Sequence, residues 1–156
     1  MLFDDRLATV LRFPAQSELA ARTQYRQLLD LLGTMPADAP GELSESAYAR
    51  LGDLADELPA AMQSSILRSP GLRLRSPTLV AWLAQSEPQA AAAAMATAQL
   101  TDREWVELIP RLPLMARGFL RHRRELPPGA REVLGRLGVN DLVLPEPKAI
   151  QPAVAT

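Results

Sequence analysis

The sequence predicts an all-α fold whose second half consists of short helical hairpins, stacked in a HEAT-like, α-solenoid-like way. Three observations carry that prediction. Apolar residues recur at helical spacing. Valine and isoleucine are few, and the best short alternation is Leu72 and Leu74 in "GLRLRS". Capping residues and prolines punctuate the chain at short intervals, enough for about eight or nine short helices.

The elements follow in order. Asp4 or Asp5 opens a short helix with Leu7, Val10 and Leu11 on one side, and Pro14 stops it. Ser17 caps a second helix running to Leu32, with Gly33 in the C′ position. Its apolar face is Ala21, Tyr25, Leu28, Leu29 and Leu32. A Pro/Gly loop over 34–42 precedes a third helix, from about Ser44 to Leu58, on which Tyr48, Leu51, Ala55 and Leu58 share a face. Pro59 stands at the first helical position of a fourth helix ending at Leu67.

The second half repeats at an offset of 25 residues: Ser76-Pro77 and Thr101-Asp102 each open a helix, and Pro88 matches Pro113. Val80 then matches Trp105, Leu83 matches Leu108 and Ala91 matches Ala116. Each unit reads as a capped helix of two turns, a proline corner and a helix of about three turns. Thr101 and Glu104 have the spacing of a capping box. A truncated third unit starts at Pro127-Pro128 and ends at Gly138. The periodicity stops at Val139. The reading is therefore one helical domain over 1–138 and a Pro-rich exit linker over 139–156.

Composition bounds the function. The 156 residues carry 17 basic and 18 acidic side chains with 47% hydrophobic residues, an ordinary globular balance that argues against a general polyanion binder. No cysteine is present, which removes disulfides, thiolate zinc sites and cysteine nucleophiles; His122 is the one histidine, too few for a histidine metal site. The N-terminus is acidic where a secretory signal would be basic. The longest charge-free stretch, 88–101, has 14 residues, against about 20 for a bilayer span. The chain reads as cytoplasmic, with no membrane partner. Charge is uneven: residues 1–65 hold 10 acids against 5 arginines, and residues 66–137 hold 11 arginines against 6 acids.

No catalytic, cofactor or metal residues are assigned. His122 in "FLRHRRELPP" faintly resembles a kinase phosphoacceptor box, but Arg123 stands where the acid belongs. It reads as a boundary histidine beside an apolar face of Leu112, Met115, Phe119 and Leu126. Arg117, Arg121 and Arg124, at i, i+4 and i+7, form a candidate partner-docking stripe; the plainer reading is a solvated helix face. "LTDREWVELI" resembles the opening of a LuxR-type helix-turn-helix, which makes a nucleic-acid regulator built on residues 100–124 the alternative function. Against it, Leu114, Met115, Phe119 and Leu120 want a core rather than a groove, and net charge is near zero. Trp82 and Trp105 sit at similar places in the two units and read as core, as does the alanine run 90–94.

Residues 3–33 and 66–126 resemble the N-terminal helical domain of a group of cytoplasmic bacterial sensor histidine kinases. The shared pattern is a unit of "SP.L....LV..LA", an Ala-rich helix, a short acidic opening and an Arg-rich helix, and the resemblance covers about 3–138. It implies a non-catalytic input or protein-interaction module of a two-component system. The partner would be another protein or a second copy, possession of a cofactor is not implied, and the catalytic kinase parts lie outside these residues.

Overall fold

The computed structural model describes residues 2–14, 16–35 and 41–143. Those residues are all-α: nine α-helices and one 3₁₀ turn, with no strand among them. The helices are α1 (Leu2–Arg12), α2 (Glu18–Gly33), α3 (Gly41–Glu57), α4 (Ala60–Leu67), α5 (Pro77–Ala84), α6 (Pro88–Thr97), α7 (Asp102–Leu108), α8 (Leu114–Arg121) and α9 (Pro128–Val143), with the 3₁₀ turn at Ile109–Arg111. Where the sequence suggested one domain over 1–138, contacts divide the chain into two compact units, Met1–Leu100 and Thr101–Thr156.

In the first unit, α2 packs against α1 and α3 and also touches α4 and α5; α6 packs chiefly on α4 and then on α5. The face expected on α2 is the one buried, with Tyr25, Leu28, Leu29 and Leu32 fully enclosed. Leu51 and Leu54 of α3 join it, and each such leucine contributes roughly 1.5–3 kcal/mol through removal from water. The alanine run is buried as anticipated: Ala90, Ala91, Ala93 and Ala94 lie on α6, where side chains this small let neighbouring helices approach closely.

Helix starts obey local chemistry. Ser17 Oγ accepts from Ala20 N at 3.1 Å, and Ser76 Oγ from Leu79 N at 3.3 Å. Pro59, placed by the sequence inside α4, is instead its N-cap, with extended backbone at φ −58° and ψ 148°. Helix ends are less conventional. The two buried polar residues among those described, Gln24 and Gln63, each close the end of another helix or turn. Gln24 Nε2 donates to Val10 O at 2.8 Å and Phe13 O at 3.0 Å, while its Oε1 accepts from Arg50 Nη2 at 3.0 Å. Gln63 Nε2 donates to Ala55 O at 2.8 Å and Leu58 O at 3.0 Å. Carbonyls at a helix C-terminus lack partners within the helix and take such donors, and Val10 O also accepts from Phe13 N at 3.3 Å.

Gly33 differs from its expected role. It is the last residue of α2 rather than the C′ cap, and the C-cap is Thr34. Glycine is needed there because a Cβ would lie 2.1 Å from Arg73 O. That close approach belongs to "GLRLRS". Its alternation is real, with Leu72 and Leu74 buried and Arg73 and Arg75 exposed, but the segment finds no strand partner. Arg75 N donates to Gly33 O at 2.9 Å and Gln99 N to Leu74 O at 2.8 Å, so an extended segment is held between two helix ends. Arg73 reinforces it with a two-pronged ion pair to Asp30, at 3.2 and 2.9 Å.

In the second unit, α7 and α8 both pack on α9. The capping box at Thr101 and Glu104 is formed, with Thr101 N donating to Glu104 Oε1 at 2.9 Å and Glu104 N to Thr101 Oγ1 at 3.2 Å. Asp102 caps a second helix in trans: its carboxylate accepts from Gly129 N at 3.2 Å and Ala130 N at 2.9 Å, at the start of α9. The 25-residue offset is thus present in the elements but not in their detail. Pro88 follows a side-chain cap from Glu87, whereas Pro113 is itself the N-cap with no side-chain bond. Helix α9 runs to Val143, five residues past Gly138, so residues 139–143, expected to belong to a linker, are helical. The rest of that expected linker, 144–156, lies outside the described residues.

Candidate functional site

The first unit carries a groove of about 820 Å³ between α3 and α5, floored by α4. Helical spacing builds both walls. From α3 come Tyr48, Gly52, Ala55 and Asp56, and from α5 and its C-cap come Thr78, Ala81, Trp82 and Gln85. Small residues at Gly52, Ala55, Ala60 and Ala81 leave the space, and two aromatic rings occupy one part of it. The Tyr48 and Trp82 rings are 5.9 Å apart between centroids and tilted by 44°. A Cβ on Gly52 would touch Trp82 Cζ2 at 3.8 Å, so the indole lies across the bare backbone of α3. Both rings are half-buried, and burial pushes the Tyr48 hydroxyl up to about 12.

Several polar groups of the groove are committed to helix ends. Gln63 closes α3 as described. Ser86 Oγ donates to Trp82 O at 3.2 Å, and Glu87 Oε2 accepts from Gln89 N at 2.9 Å. Two exposed carboxylates, Asp56 and Glu87, line the groove, and among the described residues no lysine, arginine or histidine does. The arrangement is suited to gripping a ligand by stacking and charge. Among the described residues no group of three or more His, Cys, Asp or Glu side chains is placed to hold a metal.

The residues singled out from sequence are elsewhere. Arg117 and Arg121 lie on α8, but Arg124 is three residues past its end, so the three do not form one helical stripe. Arg117 Nη2 donates to Pro110 O at 3.0 Å and Arg121 Nη2 to Leu134 O at 3.3 Å, while the carbonyl of Arg124 accepts from Arg131. Arg121, Arg123 and Arg131 also border a smaller hollow of about 420 Å³ over Leu120, Leu126 and Leu134. Arg123 lies 5.7 Å over the Trp105 ring, and desolvation lowers its pKa against the opposing pull of Glu125.

His122 is not a boundary residue: it is the exposed C-cap of α8. The face assigned to it is buried only in part, with Leu112 and Leu126 enclosed. Met115 and Leu114 are 57% and 47% exposed, and α8 instead buries Ala116 and Leu120. The tryptophans part company as well. Trp105 is enclosed, 1% exposed, but Trp82 pairs with Tyr48 at the groove. Sequence reasoning placed Tyr48 on a core face and so missed the groove. The available signal was Gly52 and Ala55 on that same face, too small to fill the volume beside two large rings.

Among the described residues no helix is long and apolar enough to cross a membrane. No family model matches the chain, and neither does any curated protein or solved structure.

Proposed function

We propose that this chain is a non-catalytic, cytoplasmic input and protein-interaction module of a bacterial two-component sensor histidine kinase, passing the binding of a partner to a downstream kinase region. The observation that supports the reading is the Tyr48–Trp82 groove. Its aromatic walls are presented to a ligand while Gln63, Ser86 and Glu87 serve helix ends, an economy that favours recognition over chemistry. Occupancy of the groove would favour one arrangement of α3, α4 and α5 and bias the kinase through that preference. The resemblance of residues 3–33 and 66–126 to kinase input domains supplies the signalling context.

The test starts with the reading frame that encodes Thr156 and continues with its whole product. Phosphoacceptor and ATP-binding regions should follow, and autophosphorylation should change at least severalfold when residues 1–138 are removed. A frame with no kinase region, or a kinase indifferent to that deletion, refutes the reading.

A further inference from the structure

We propose that the groove between α3 and α5 is the docking site for an extended, positively charged peptide segment of a partner protein, one lysine or arginine of which lies against the Trp82 indole near the Asp56 and Glu87 carboxylates. The inference deepens the interaction-module reading and rests on it.

Three features select this occupant. The first is shape. Tyr48 and Asp56 stand eight steps apart on α3, about 12 Å at helical rise, which matches three or four residues of extended peptide. A lone organic cation would leave most of the 820 Å³ unfilled. The second is the aromatic corner. Trp82 offers the best ring for a cation, and the tilted Tyr48 ring supplies a second π surface beside it. The third is charge. Among the described residues the lining carries Asp56 and Glu87 and no cationic side chain, so an acidic segment would be repelled. The first unit as a whole, residues 1–100, holds 11 acids against 8 arginines, a mild bias toward a basic partner. The small residues Gly52, Ala55, Ala60 and Ala81 leave room for the apolar stems of the bound side chains.

The experiment is a selection of displayed random dodecapeptides against the full chain, followed by titration of the recovered peptides with ¹⁵N-labelled protein. The chain has two tryptophans, so two indole N–H signals report directly, and W82F assigns them. Recovered peptides should be enriched in lysine and arginine and should move the Trp82 signal while leaving that of Trp105 in place. The double variant D56N/E87Q should weaken them about fivefold or more and flatten their salt dependence. Glu87→Gln keeps an oxygen able to accept from Gln89 N, so the start of α6 is retained. Recovery of no peptide, or only of acidic or uncharged ones, overturns the proposal. So does unchanged binding by D56N/E87Q, or a shift confined to Trp105. Arginine amide binding as tightly as the peptides removes the extended-segment part. A kinase regulated by residues 1–138 that recovers no basic peptide sinks the groove assignment alone. Basic peptides seated at Trp82 on a chain with no kinase sink only the signalling context.

Discussion

Replacing Gly33 by alanine sets two physical effects against each other. Helix propensity favours alanine over glycine in a helix by roughly 0.5–1 kcal/mol. Against this, the new Cβ would lie 2.1 Å from Arg73 O, a backbone atom, more than an ångström inside ordinary contact. The extended segment must then retreat. It is fastened by Arg75 N to Gly33 O at 2.9 Å and by Gln99 N to Leu74 O at 2.8 Å, so at least one backbone bond is strained or lost. Overpacking costs about 1–3 kcal/mol and a lost buried hydrogen bond about another 1 kcal/mol. The net expectation is destabilisation by roughly 2–4 kcal/mol, read as a lower urea midpoint by circular dichroism with little change in slope. Gly135 is the control: it is exposed on α9, and a Cβ there meets nothing within 4 Å. Gly135→Ala should stabilise by about 0.5–1 kcal/mol. A Gly33→Ala chain as stable as the parent, or both variants shifting the same way, refutes the steric argument.

Four further outcomes follow from the same contacts. Gln24→Leu removes the donor serving Val10 O and Phe13 O and should cost about 2–3 kcal/mol, with amide exchange rising first in α1. Asp102→Ala should cost roughly 1–2 kcal/mol and speed exchange at Gly129 N and Ala130 N, the two amides its carboxylate accepts from. Tyr25→Phe should be neutral or stabilise by up to about 1 kcal/mol, because its buried hydroxyl has no hydrogen-bond partner among the described residues; a loss beyond that contradicts the geometry. Tyr48 is held protonated to a higher pH in the folded chain than in the unfolded one. Its contribution is therefore intact below pH 10 and is lost as pH rises from 10 toward 12, and Tyr48→Phe should shallow the alkaline limb of a stability–pH curve.

The helices were legible because their signals are local. Ser17, Ser76 and the Thr101–Glu104 pair each bond to an amide within three residues, so sequence spacing alone locates them. The α2 face was legible for the same reason, since helical periodicity fixes which leucines are inside. What escaped is non-local. Gly33 has the signature of a cap, and only the arrival of residue 73 from forty positions away shows why no side chain fits. Periodicity also treats any apolar stripe as core. That rule holds for α2 but fails for α8, where Ala116 and Leu120 suffice against the neighbouring elements and Met115 stays in water. The groove was hidden for a related reason. Tyr48 and Trp82 lie on different helices 34 positions apart, and only folding sets their rings 5.9 Å from each other.

The two buried glutamines carry one more implication. A latch made from a neutral amide answers to neither acid nor ionic strength, so the joints at Val10–Phe13 and Ala55–Leu58 should stay shut in conditions that loosen the Asp30–Arg73 pair. Its vulnerability is slow chemical ageing. Hydrolysis of the Gln63 amide replaces a donor with a carboxylate facing carbonyl oxygens, turning attraction into repulsion at a helix end. Gln63→Glu imitates that lesion, and because Gln63 also lines the groove between α3 and α5, the damage should register there as well as at the end of α3.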